Sequence, residues 1–285
     1  MNKEIPIQFT CNGDKLYGML HIPDEFQSTG LLIVVGGPQY RIGSHRQFVL
    51  LSRSLMDEGV ASLRFDYRGM GDSDGKQHTF EEIEEDIRIA IDQLFMNCPN
   101  LKTVAIWGLC DAASAACMYA HKDPRVSKII LLNPWVRTES TIAATYIKNY
   151  YLKRIININF WRKILTGKFK FKASIYDVVN KLKLAFYSNE KSNEKTALLR
   201  TSASLPDRMC ESLELYNKPI LLILSGNDLT AKEFENVTGN SKNWRIILNR
   251  KNVLVKRLKE ANHTFSKKEW KEFVALWTFE WIKDT

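Results

Sequence analysis

No stretch of this 285-residue chain is apolar for long enough to cross a bilayer. The longest apolar runs, such as Ile220–Leu224 with its flanks, cover only a few residues, so no stable membrane span is expected. The opening residues, Met1-Asn2-Lys3-Glu4-Ile5-Pro6, lack the apolar core of a secretory signal, and the expected location is cytoplasmic. Cysteines are few and odd in number: Cys11, Cys98, Cys110, Cys117 and Cys210. None forms a CxxC pair, which argues against a zinc site or a dithiol centre. In a reducing compartment these are free thiols. No metal and no cofactor is expected.

Hydrophobic residues make up 45% of the chain and charged residues 26%, ordinary values for one globular domain, at this length with an insertion. The net charge of +9 is unevenly placed. Between Arg137 and Arg200 stand 14 basic and 4 acidic residues, and the remainder is nearly neutral. No nucleic-acid-binding motif accompanies the excess, so nucleic acid is not an expected partner. Either the segment is a solvated face, or it docks an acidic carrier protein, coenzyme A or a phosphate-bearing lipid.

Strand and helix signals alternate along most of the chain. Ile5–Phe9 and Leu16–Ile22 flank the turn Asn12-Gly13-Asp14 and read as a hairpin. Short apolar runs at 31–35, Val60–Phe65, Thr103–Trp107, Lys128–Leu132, Ile220–Leu224 and Val253–Leu258 read as strands. Between them, helices are expected over Phe48–Glu58, Phe80–Met96 (capped by Thr79 with Glu82), Ala113–His121, Ala231–Asn236 and Lys267–Lys283. The last carries a core-facing stripe of Trp270, Phe273, Trp277 and Trp281. This alternation predicts an α/β fold with a mostly parallel sheet and the hairpin at one edge. Residues 136–216 break the rhythm and read as a basic, mostly helical cap inserted into a core made of 1–135 and 217–285.

Gly108-Leu109-Cys110-Asp111-Ala112 lies between a predicted strand and helix, the setting of the G-x-S-x-G nucleophile elbow, with Cys for Ser and Ala for the last Gly. Asp228 follows a buried strand, and His263 follows the final one. The order nucleophile, acid, base is that of the α/β-hydrolase fold. Cys110, His263 and Asp228 are thus the candidate catalytic triad. Acyl transfer also needs backbone N–H groups for an oxyanion. Asp111 is the first candidate. The second should come from the run after the first buried strand; Pro38 has no N–H, which leaves Gly37 or, preferred here, Gln39. Arg41, His45 and Arg46 could clamp an anionic substrate group or be solvated charges, and Trp135 ends the next strand as a further candidate for substrate contact.

The runs Gly36–Gln47, Phe65–Ser73, Trp107–Ser114, Ser225–Phe234 and Asn262–Ser266 together resemble the exosortase A system-associated hydrolases, bacterial α/β hydrolases. The resemblance implies a cysteine nucleophile at Cys110 and names no substrate. The elbow alone is also similar to those of dienelactone hydrolases and polyhydroxyalkanoate synthases. Three functions follow as expectations: an esterase or thioesterase working through an acyl-cysteine on a small-molecule or carrier-bound acyl substrate, an acyltransferase from a carrier or coenzyme A thioester to an amine or alcohol, and a non-catalytic binding protein on a hydrolase fold.

Overall fold

The computed structural model describes residues 2–37, 39–137 and 203–283. Its strands are β1 (Lys3–Cys11), β2 (Asp14–Ile22), β3 (Thr29–Val34), β4 (Ser62–Asp66), β5 (Thr103–Leu109), β6 (Val126–Leu132), β7 (Ile220–Ser225) and β8 (Val253–Leu258). They form one eight-stranded sheet in the order β1-β2-β4-β3-β5-β6-β7-β8. β1 pairs antiparallel with β2, and β2 with β4; every other pairing is parallel. β3 and β7 are buried at every position, as strands covered on both faces must be, and this is why they appear in sequence as unbroken apolar runs. The mostly parallel α/β sheet and the edge hairpin match the expectation.

The helices are α1 (Gln47–Asp57), α2 (Glu84–Asn97), α3 (Asp111–Tyr119), α4 (Leu205–Leu215), α5 (Leu229–Asn240), α6 (Lys242–Leu248) and α7 (Lys268–Ile282). Phe48, Leu51 and Leu55 of α1 and Val274, Ala275 and Ile282 of α7 share a core with Leu31, Ile33, Trp107, Leu132 and Ile223 of the sheet. Each such aliphatic side chain contributes about 1.5–3 kcal/mol by leaving water. Trp270, Trp277 and Trp281 pack against this core, but Phe273 is 46% exposed and meets only the edge of the stripe, at Trp277.

Two helical expectations change. α2 begins at Glu84, not Phe80. Thr79 and Glu82 do bond, but Thr79 donates both its N–H and its hydroxyl to Glu82 Oε2, at 2.9 Å each. The threonine oxygen is thereby used as a donor, and the pair closes an isolated turn instead of capping a helix. α6 was not foreseen, because its buried residues, Trp244 and Ile247, span a single turn.

The chain divides into a core unit, Met1–Val136 with Arg208–Thr285, and a second unit, Arg137–Asp207. The cap expected over 136–216 lies mostly outside the described residues. The core resumes at Arg208 inside α4, earlier than the expected 217, because Met209 and Leu213 are buried and the Met209 carbonyl meets Cys117 Sγ at 3.6 Å. Among the described residues no helix is long and apolar enough to cross a membrane, and no group of three metal-ligating side chains is gathered.

Candidate active site

β5 ends at Leu109 and α3 starts at Asp111, so Cys110 alone makes the turn between strand and helix. Its backbone sits at φ 64, ψ −123, a region that costs a residue with a side chain about 1–3 kcal/mol. Four backbone–backbone hydrogen bonds hold it there. Cys110 N–H donates to the Leu132 carbonyl at 2.9 Å, and its own carbonyl accepts from Ala113 and Trp135 at 3.1 Å and from Ser114 at 3.3 Å. Small neighbours make the turn fit. A Cβ on Gly108 would stand 2.5 Å from the Ala112 carbonyl oxygen, which explains the glycine better than any conformational need.

The turn lifts Cys110 out of the core. It is half-buried, whereas Cys11, Cys98, Cys117 and Cys210 are buried. Burial pushes the Cys11 and Cys98 thiols up to about 11 and the Cys117 thiol higher still. These four suit packing, not chemistry.

The loop after β8 carries His263. Its Nδ1 lies 3.0 Å from Asp228 Oδ2. The Asp228 bond, reinforced by the nearby Cys110, raises the imidazole to about 10 against the opposing effect of burial. Asp228 stands at the N-terminus of α5, where the same Oδ2 accepts the Ala231 N–H at 2.9 Å. Helix cap and histidine partner are therefore one residue, not alternatives. Burial would raise this carboxyl; His263 and the helix amides outweigh it and hold it below the usual carboxylate range. Of the three sequence-predicted residues, His263 and Asp228 are bonded to each other, and Cys110 lies near the ring.

A fourth residue positions them. Asn133, buried at the end of β6 with φ 43, donates its Nδ2 to the His263 carbonyl at 3.0 Å and to Ser225 Oγ at 2.9 Å, and its Oδ1 accepts the Ser225 N–H at 2.8 Å. Ser225 Oγ in turn donates to the Asn262 carbonyl at 2.9 Å. Two strand ends thus grip the histidine loop by its backbone. In sequence Asn133 is only an uncharged residue at a strand end, with no signal of this role. Asn133→Ala leaves buried groups unpaired, and we expect a stability loss of about 1–3 kcal/mol with a lower kcat at little-changed KM. Chemical denaturation and steady-state kinetics with an activated ester check both.

Asp111, whose N–H is the first oxyanion candidate, also engages its side chain. Its side-chain Oδ2 accepts the Gly37 N–H at 2.8 Å, and its Oδ1 accepts the Ala112 N–H at 2.9 Å. Burial raises its proton affinity despite these bonds. Gly36 makes room, since a Cβ there would collide with Asp111 Oδ1 and approach Ala112 N and Leu109 O to 2.8 Å. Gln39 uses its side-chain oxygen to accept the Ser44 N–H at 3.0 Å.

The remaining candidates stand apart. Arg41 is bound to Asp66 and, at 2.7 Å, to Asp72, so its charge braces the loop after β4. His45 and Arg46 are exposed in a 3-10 turn, Ser44–Arg46, ahead of α1. Among the described residues none of the three bonds to the triad. Trp135 touches the elbow through its backbone: its N–H reaches Cys110, and its carbonyl accepts Ser114 Oγ at 2.6 Å.

Comparison with known proteins agrees with this architecture. No curated protein matches the sequence. Among solved structures, the Pyrococcus furiosus esterase Pf2001 superposes with TM-score 0.63 at 17% identity, over 99% of this chain and 94% of that one. Est1E from Butyrivibrio proteoclasticus, solved with ferulic acid bound, gives TM-score 0.60 at 19% identity over 97% and 99%. A dienelactone hydrolase from Anabaena variabilis gives 0.56 at 16% over 98% and 96%. At such identities the likeness is one of fold. Residues 30–245 match the model of a hydrolase family described as serine aminopeptidase, S33. That match spans most of the chain, and the protein belongs to this S33 serine aminopeptidase-like family of α/β hydrolases, with a thiol at the elbow of a family named for serine.

Proposed function

We propose that this protein is a cysteine-dependent esterase or thioesterase that works through an acyl-Cys110 intermediate. One observation carries the proposal: the His263 ring is bonded through Nδ1 to Asp228, while Cys110, alone in the turn between β5 and α3, stands near enough to the same ring to favour its protonated form. Sulfur attacks the acyl carbon as His263 takes the thiol proton. His263 returns that proton to the leaving group, then draws one from water so that hydroxide attacks the thioester; the C–S bond breaks, the free acid leaves, and the proton on His263 passes back to sulfur. Asp228 holds the ring tautomer and offsets the imidazolium charge, as the acid of such triads does. The N–H groups of Asp111 and Gly37 are the oxyanion donors, each worth roughly 3 kcal/mol when aligned. The motif runs that resemble the exosortase A system-associated hydrolases support the same nucleophile.

The test is direct trapping. Mixed with p-nitrophenyl acetate and quenched, the protein is expected to gain one acetyl mass, located on the Cys110 peptide. An acetyl group found on a serine, or on another cysteine, overturns the assignment. Acyl transfer is a second reading, favoured by the basic excess between Arg137 and Arg200, which suits an acidic carrier or coenzyme A as donor. An added amine or alcohol then diverts acyl product from free acid; equal acid yield with and without acceptor counts against it.

A further inference from the structure

Two N–H groups beside the elbow already have an acceptor. Gly37 and Ala112 direct their hydrogens at the Asp111 carboxylate. The Gly37 N–H is one of the two donors that the proposed reaction assigns to a substrate oxyanion. We propose that the Asp111 carboxylate is the resident occupant of the oxyanion hole, and that it acts as a specificity-determining residue which a substrate carbonyl must displace before Cys110 is acylated. The proposal rests on the Cys110 reading above.

The surroundings are shaped for the occupant. Gly36 lacks the Cβ that would collide with Asp111 Oδ1. The adjoining Pro38 offers no N–H of its own. The bound carboxylate is held mainly by backbone N–H dipoles, one of which, that of Gly37, would also hold an oxyanion. A tetrahedral intermediate places a second negative charge on that donor, and two anions cannot share it. Displacement therefore costs every substrate the same bonds. A substrate with a large remote portion offsets that cost through binding elsewhere; a small activated ester has nothing to offset it with. Asp111 thus discriminates against small acyl donors at the elbow, without touching the rest of the substrate.

Two reactions at the same sulfur separate this role from a general effect on the thiol. With p-nitrophenyl acetate, an Sγ–C bond forms and the carbonyl pair moves onto oxygen. The C–O bond then breaks, p-nitrophenolate leaves with its electron pair, and the thiol proton remains on His263. With iodoacetamide, sulfur displaces iodide at a saturated carbon, and no oxyanion forms. Asp111→Ala is expected to raise the burst rate constant for acetylation roughly tenfold or more, while alkylation changes far less. Asp111→Asn, neutral and of the same shape, is expected to fall between Ala and wild type, and it carries the test if the alanine variant does not fold. Acetylation at or below the wild-type rate in the variants overturns the proposal. So does an equal rise in both reactions, which would mean that the carboxylate acts only on the sulfur. Acetylation that persists in Cys110→Ala instead removes the underlying nucleophile assignment, whatever the Asp111 ratios.

Discussion

Cys110→Ala lowers turnover of an activated ester by roughly ten-thousand-fold, and Cys110→Gly does the same while making the protein more stable. The activity loss follows from the proposed nucleophile: without the sulfur there is no covalent intermediate, and only binding and the amide donors remain. The stability gain follows from the backbone. Residue 110 is held at φ 64, ψ −123 by bonds to Leu132, Ala113, Ser114 and Trp135. Glycine meets that conformation without the strain that a Cβ imposes, so the expected gain is about 1 kcal/mol. Alanine keeps the strain and should unfold near the wild-type midpoint. Ester kinetics and denaturant unfolding of the three proteins check both halves. Wild-type turnover in either variant removes the cysteine assignment, and a glycine variant less stable than the alanine one removes the strain.

Gly108→Ala is expected to cost about 3 kcal/mol, the upper part of the range for overpacking. The added methyl would meet the Ala112 carbonyl at 2.5 Å, its carbon at 2.6 Å and Ala113 N at 2.7 Å. All three are backbone atoms of α3, and no side chain can rotate away. β5 cannot retreat either, because it is paired with β3 on one side and β6 on the other. α3 must therefore shift, taking the amides of Asp111 and Ala112 with it, and activity should fall with stability. Gly239→Ala is the control: it lies exposed on α5 with nothing within 4 Å of an added Cβ. There the same change should stabilise by about 0.5–1 kcal/mol, as expected for glycine inside a helix. Equal unfolding midpoints for the two variants would contradict the packing account.

The turns bearing Cys110 and Asp228 were legible because each follows an apolar run, β5 or β7, buried at nearly every position; His263 follows β8, an edge strand with no fully buried position, and was found by its place in the chain order. The hairpin was legible from Asn12-Gly13, though Lys3 and Glu4 extend β1 beyond the apolar core through backbone pairing alone. What escaped was direction and partnership. Nothing in Asp111-Ala112 says that the carboxylate takes the amides of Gly37 and Ala112; that depends on Gly36, which arrives from the loop after β3. Asn133 is equally silent in sequence, since its partners, Ser225 and His263, meet it only once β6 and β7 are paired. Arg41 suggested an anion clamp, but a buried aspartate, Asp66, claims it first. Local chemistry fixes what a residue can do, and tertiary pairing decides which of those things it does.

The outermost place of β8 has a consequence for how the molecule comes into being. β8 pairs with β7 and closes the sheet on that side, and the loop bearing His263 follows it directly. Synthesis proceeds from the other terminus, so the elbow leaves the ribosome long before its imidazole. On the proposed mechanism a nascent chain thus carries a thiol with no base to activate it, and reactivity is switched on only when the final edge strand docks.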